Sequence, residues 1–245
     1  MTEKVFRRLI EVRTSPTISR AFVEDDYHRF RLEVHFAELA VSKITAQAIR
    51  YPWDLCPYAV SRLQEFVGLP LTMFMSDLNT HADMRSHCTH LFDLASLILA
   101  LTARQVHCRA YEITIPYRRD GCTTASLSRD GQSLLNWTID NDLITGPPPF
   151  ESISLRRGFS TKADSMGAPD LAEAMLVLRR AVNISLGRGI PPLDDLKVAP
   201  INGGCFVQNP ERAPKATRIL TTRIDFSEIP KALGSLDRDW VSEVG

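Results

Sequence analysis

The chain lacks a long apolar run. Its longest, residues 94–101, is broken by Ser96 and falls far short of the roughly 20 residues of a membrane span. Nor does an apolar stretch follow the opening Met-Thr-Glu-Lys-Val-Phe-Arg-Arg, so no signal peptide is expected. Charge of one sign is not in excess: 29 Lys and Arg balance 29 Asp and Glu. That balance, with basic pairs such as Arg7-Arg8 and Arg179-Arg180 short and scattered, argues against a nucleic-acid or membrane-surface partner. Metal and cofactor fingerprints are also missing. There is no Cys-x-x-Cys and no His-Glu-x-x-His, so ligands for any metal would come from separate elements. Gly187-Arg188-Gly189 follows an expected helix, whereas a phosphate loop precedes one. Five cysteines, an odd and widely spaced number, fit reduced thiols of a cytoplasmic protein better than a disulfide framework.

What is present suits a globular domain: 245 residues, 44% hydrophobic and 24% charged, enough to bury a sizeable core. Residues 5–13 and 17–23, either side of Ser15-Pro16, read as short strands. Phe30, Leu32, Val34 and Phe36 alternate with Arg29, Arg31, Glu33 and His35, the period of a half-buried strand. Residues 40–50 read as its antiparallel partner. Pro57 fits a first helical position, with Cys56 as cap and Gly68 as stop. A second helix is expected behind Ser86 as cap, which places His87, Cys88 and Thr89 on its first turn. From Cys108 the period returns to two, with a hairpin expected around Asp130-Gly131. Residues 170–186 predict a helix with Asp170 and Glu173 as capping signal and an apolar stripe of Leu171, Ala174, Met175, Leu178 and Val182. Residues 188–216, rich in Gly and Pro, read as a loop or lid. Beyond them only a short strand at 218–226 and a polar tail are expected. The reading is an α+β fold, an antiparallel sheet with helices packed on one face. It divides into 1–105, an α+β domain; 106–190, a hairpin and helix extension packed on it, with Pro147-Pro148-Pro149 a rigid break inside it; and 191–245, a Gly/Pro-rich loop and C-terminal tail.

Chemistry concentrates at His87-Cys88-Thr89-His90. Two helices begin at cysteines, Cys56 and Cys88. The free N–H groups and dipole of a helix start favour a thiolate. Convergence of the two starts would make a pocket for an anion, a metal or a carbonyl oxygen. His87 and His90, three apart, are neighbours on a helix surface and could serve as base or ligand. Each of Cys56, Cys88 and His90 alone is more often structural, Cys88 above all because it shares the helix's apolar stripe. Asp54, Tyr58 and Arg31 are the expected substrate contacts, with capping, packing and plain exposure as their ordinary roles.

Two resemblances follow. Tyr51-Pro52-Trp53-Asp54-Leu55-Cys56-Pro57, Leu63 through Gly68-Leu69, and Cys88-Thr89-His90-Leu91 place residues of about 27–103 as similar to domain-of-unknown-function family 2889, a bacterial family. The order of two strands, Cys56 at one helix start and His87-Cys88 at the next is similar to the iron–sulfur cluster scaffold fold. That resemblance implies Cys56, His87 and Cys88 as ligands of zinc or an iron–sulfur cluster. Where the scaffold family has its first cysteine, Asp25, Asp26 and His28 stand here. The functional expectation is an enzyme on a small molecule, with Cys88, His90, His87 and Cys56 doing acid–base or nucleophilic work and residues 147–165 and 188–216 as roof. A lyase or hydratase in the catabolism of aromatic or steroid-like compounds is the closest fit. No cofactor is identified, zinc or an iron–sulfur cluster is compatible, and so is a homo-oligomer. The alternatives are a metal or iron–sulfur carrier and a non-catalytic partner protein.

Overall fold

The computed structural model describes residues 4–188 and 193–244; the part of the expected loop at 189–192 lies outside them. Eight antiparallel strands form one sheet among these residues: β1 (Val5–Thr14), β2 (Ile18–Asp25), β3 (Arg29–Ala37), β4 (Ala40–Arg50), β5 (Cys108–Pro116), β6 (Cys122–Arg129), β7 (Gln132–Asp140) and β8 (Leu143–Gly146). Their order is β4-β3-β2-β1-β5-β6-β7-β8. Two meanders are joined by β1 pairing with β5, so one sheet spans strands from both sides of the expected boundary at residues 105 and 106. The expected hairpin is present. Asp130 and Gly131 both take positive φ, 52° and 81°, as a two-residue turn matched to the strand twist requires.

One face of the sheet is covered by α1 (Thr89–Ala103), which packs on β1, β2 and β3, and by α3 (Pro169–Ser185), which packs on β5 and β6. Thirteen of the fifteen residues of α1 are buried, since the sheet lies on one side and loops cover the other. The expected stripe of α3 faces the core, with Leu171 half-buried and Ala174, Met175, Leu178 and Val182 buried. A short helix α2 (Phe159–Asp164) precedes it. Asp170 and Glu173 are not its cap; Ala168 is. Both carboxylates instead meet arginines under the helix: Arg104 reaches Asp170 and Glu173, and buried Glu173 also accepts from the Tyr111 hydroxyl.

The segment behind Pro57 is a 3-10 helix, Cys56–Phe66, capped by Leu55 rather than by Cys56. Gly68 ends it with φ 89° as expected. The second helix also starts later than expected. Ser86 belongs to a separate 3-10 turn (Met84–Ser86), His87 is extended, and Cys88 is the cap.

The C-terminal segment is not a free polar tail, and residues 218–226 form no strand, only a single bridge from Arg218 to Trp53. Residues 225–244, which include α4 (Arg238–Ser242), strap the other face of the sheet. Val241 packs with Leu9 and Phe22. Fully buried Asp237 accepts from Arg29 and Arg31, at 2.8 and 2.6 Å. Thus Arg31, expected at a substrate, is spent on this strap, on the sheet face opposite α1. Gly234 passes closest: its N–H donates to Glu24 at 2.7 Å, its φ is 72°, and an added Cβ would lie 2.2 Å from Leu9 Cδ2. Gly234→Ala is therefore expected to cost about 1–3 kcal/mol through overpacking, read as a lower urea midpoint; an unchanged midpoint would show that the strap contributes little.

Candidate functional site

The β2–β3 turn builds the first half of the site. Asp25, at the end of β2, folds its carboxylate back over the turn. Its Oδ1 accepts from the N–H groups of Tyr27 and His28 and from His28 Nδ1, each at 2.9 Å. This is the turn-closing habit of aspartate, and it holds the His28 ring by one nitrogen. Arg8 lies directly across from Asp25 in the β1–β2 register and donates to Oδ2 at 2.8 Å. Both members of this ion pair are buried. Burial alone would raise the Asp25 carboxyl. His28, His90 and Arg8 outweigh it and hold the group well below the usual carboxylate range.

The start of α1 supplies the second half. The His90 ring lies against His28, tilted by 31° with centroids 3.9 Å apart, and stacks against Phe30 at 5.5 Å. Its Nδ1 lies 3.9 Å from Cys88 Sγ and its Nε2 3.8 Å from Asp25 Oδ2. The second distance is too long for a hydrogen bond, so Nε2 is a buried nitrogen without one. Burial pushes the His90 pKa well below its ordinary value, and the ring is neutral. A chain of contacts thus runs Arg8–Asp25–His28 and His90–Cys88.

The chain opens into a cavity of about 680 Å³, within the usual range of small-molecule sites. Its walls include His28, His90, Cys56, Cys88 and Cys205. Leu155 and Arg156 come from one expected roof segment, and Leu193, Leu196 and Phe206 from the other. The second segment is anchored by Phe206 N–H donating to the His87 carbonyl at 2.8 Å and by a small cluster of Trp53, Cys56, Ala199 and Val207.

Cys56 and Cys88 do converge here, but their thiols are not activated. Burial raises Cys56 well above its ordinary pKa and Cys88 to about 12. N–H groups of Leu91 and His90 at the helix start favour the Cys88 thiolate, as expected, yet desolvation exceeds them. The thiols are protonated proton donors, not standing nucleophiles. His87 does not enter the cavity. It is buried between Phe66 and Phe92, with ring centroids at 4.9 and 5.6 Å, and burial lowers its pKa. Glu65 Oε2 approaches its Nε2 to 3.2 Å without hydrogen-bond alignment. The ligand set Cys56, His87 and Cys88 is therefore not assembled, because His87 is turned into the core. Asp54 and Tyr58 also lie elsewhere. Asp54 binds the N–H and hydroxyl of Thr217 at 2.9 and 2.6 Å, and Tyr58 is two-thirds exposed.

Among the described residues one set does have metal-ligand spacing: Asp25, His28 and His90, with atoms within 4.8 Å of one another. Two histidines and a carboxylate suit a divalent iron or zinc ion. Arg8 already occupies Oδ2, so in this arrangement it would orient the carboxylate from behind. His28 and Asp25 carried no role in the sequence reading beyond standing where a cysteine was missing. The signal that finds them is Asp-x-x-His across a hairpin turn.

No helix among the described residues is long and apolar enough to cross a membrane. No curated protein matches the chain. Residues 12–112, which carry Asp25, His28, Cys56, Cys88 and His90 but none of the walls beyond residue 154, match the model of the family described as a protein of unknown function, DUF2889.

Proposed function

We propose that the protein is a cytoplasmic enzyme that moves a proton on a small organic molecule inside this cavity, in the manner of a lyase, hydratase or isomerase. The observation that carries the reading is the pair of imidazoles in contact, one held by a buried carboxylate, at the wall of a cavity of small-molecule size. Asp25 fixes the His28 tautomer through Nδ1, which leaves Nε2 as the working nitrogen. In the reaction Nε2 takes a proton from a substrate carbon beside a carbonyl, and the electron pair moves onto the carbonyl oxygen. Asp25 stabilises the imidazolium that results. The protonated Cys88 thiol and the N–H groups at the start of α1 face the developing oxyanion. Return of the proton to another carbon gives isomerisation; loss of a hydroxyl group as water gives a hydratase run in reverse. Neutral His90 packs the base and keeps a second proton acceptor in reach. Five unpaired cysteines fit a reducing compartment.

A second reading, favoured by the ligand spacing, seats a divalent cation at Asp25, His28 and His90. The test is solvent deuterium uptake by a panel of carbonyl-bearing acids in D2O, followed by proton NMR, with metal analysis of the same samples. Wild-type protein is expected to label at least one compound, and His28→Asn to slow it about 10²–10⁴-fold, the usual worth of a positioned base. Equal labelling by His28→Asn overturns the assignment. Activity lost to a chelator and restored by one metal moves the conclusion to the second reading.

A further inference from the structure

The cavity carries an imbalance that the proposed chemistry does not use. Four arginines line it, Arg85, Arg156, Arg179 and Arg180, and no Asp or Glu is among its described lining residues. Two of the four are committed. Arg180 pairs with Asp93 at 2.6 Å, and Arg156 with Asp142 at 2.7 Å. Arg85 and Arg179 have no carboxylate partner among the described residues. Arg179 is half-buried and aligned: its Nε donates to the Leu155 carbonyl at 2.7 Å and its Nη2 to the Arg156 carbonyl at 3.3 Å, and its guanidinium lies 5.3 Å from the Phe159 ring centre. A partly desolvated cation without a counter-charge is costly to keep, and a guanidinium held by its Nε side presents a fork suited to a carboxylate. Arg85 and Arg179, with Arg180, also line an adjoining, more open hollow of about 620 Å³, whose wall includes Asp83, a carboxylate engaged by the Arg85 backbone N–H, so they stand at the junction of the cavity with its more open side, the mouth. The rest of the wall is largely apolar: Phe30, Trp53, Leu155, Ile184, Leu193 and Phe206.

We propose that the cavity takes an organic anion with an apolar body, the charged head held at the mouth by Arg85 and Arg179 and the body reaching toward His28, His90 and Cys88. This deepens the enzymatic reading by naming the substrate class, and the reading supplies only the direction in which the ligand points. The head group is a carboxylate or a phosphate, since either fits a guanidinium fork; the body has no charge, since the described lining residues deeper in the cavity include no Asp, Glu, Lys or Arg.

Titration calorimetry on the whole chain tests this with octanoate, 2-naphthoate and octyl phosphate against octanamide and octylammonium. At least one anion is expected to bind, at least ten-fold tighter than the amide and the ammonium. Arg179→Met is expected to weaken that anion about 10- to 100-fold, the range for a charged hydrogen bond, and to leave the amide unchanged. Exposed Arg85, whose loss should not disturb folding, provides the second variant, with a smaller loss in the same direction. Octanoate against octyl phosphate distinguishes the two heads. Equal binding of anion and amide, no binding by any of the three anions, or full anion affinity in both variants overturns the proposal. Because binding is read without turnover, the two proposals fail separately. Anion binding in a protein with no deuterium exchange sinks the enzyme and keeps the anion site; exchange without preference for anions does the reverse.

Discussion

Arg8→Met is expected to destabilise the protein by about 3–5 kcal/mol, the cost of leaving one member of a buried ion pair alone. Set against the roughly 5–15 kcal/mol that holds a domain together, that is a large fraction of the total. The reason is geometric. Arg8 and Asp25 face each other across β1 and β2, beneath α1, and neither has water to fall back on. Asp25 cannot escape by taking a proton cheaply, because three donors from the β2–β3 turn still hold its charged form. Asp25→Asn keeps an acceptor for the turn and strands Arg8 instead. A urea-denaturation cycle over both positions should return a double variant less damaged than the sum of its parts by about 1.5–3 kcal/mol, as contacting residues do. Strict additivity would mean that the two charges do not depend on each other, and the chain of contacts to His28 and His90 would lose its foundation.

Periodicity made much of the fold legible. Alternation located β3, Asp130-Gly131 located a hairpin, and a five-residue stripe located α3. The C-terminal strap was illegible because no period marks it. It is held by single points, Asp237 on two arginines and Gly234 against Leu9, and each of these depends on a partner about 200 residues away. Within the site, sequence proximity was informative for Cys88 and His90, and clustering at helix starts brought Cys56 to the same cavity. It misled for His87, because the start of α1 fell two residues later than Ser86 implied and turned that ring inward. It also misled on thiol activation. A helix start is visible in a sequence, whereas the burial that exceeds its effect at Cys88 exists only once residues 193–208 have folded over it. Asp25 and His28 were hidden for a simpler reason. Their meaning comes from Arg8 on one side and His90 on the other, and these are brought in by a neighbouring strand and by a helix more than sixty residues downstream.

His90→Leu is expected to stabilise the protein by about 1–2 kcal/mol, the reverse of what most core substitutions do. Burying a polar nitrogen without a hydrogen bond costs about 1–3 kcal/mol, and His90 Nε2 is such an atom. Its Nδ1 has only the long contact to Cys88 Sγ at 3.9 Å. Leucine is close to histidine in volume and would sit against Phe30 with nothing left unsatisfied. A residue that weakens the fold and persists in its centre is typical of a site shaped for chemistry rather than for stability. The urea midpoint of His90→Leu should therefore rise while deuterium exchange falls. If the midpoint drops instead, and a chelator lowers the wild-type midpoint to match, then His90 Nε2 has a partner after all, and that partner is a cation shared with Asp25 and His28. If the midpoint drops and the chelator does nothing, His90 is an ordinary packing residue, and the imidazole pair loses its claim to be the reactive centre.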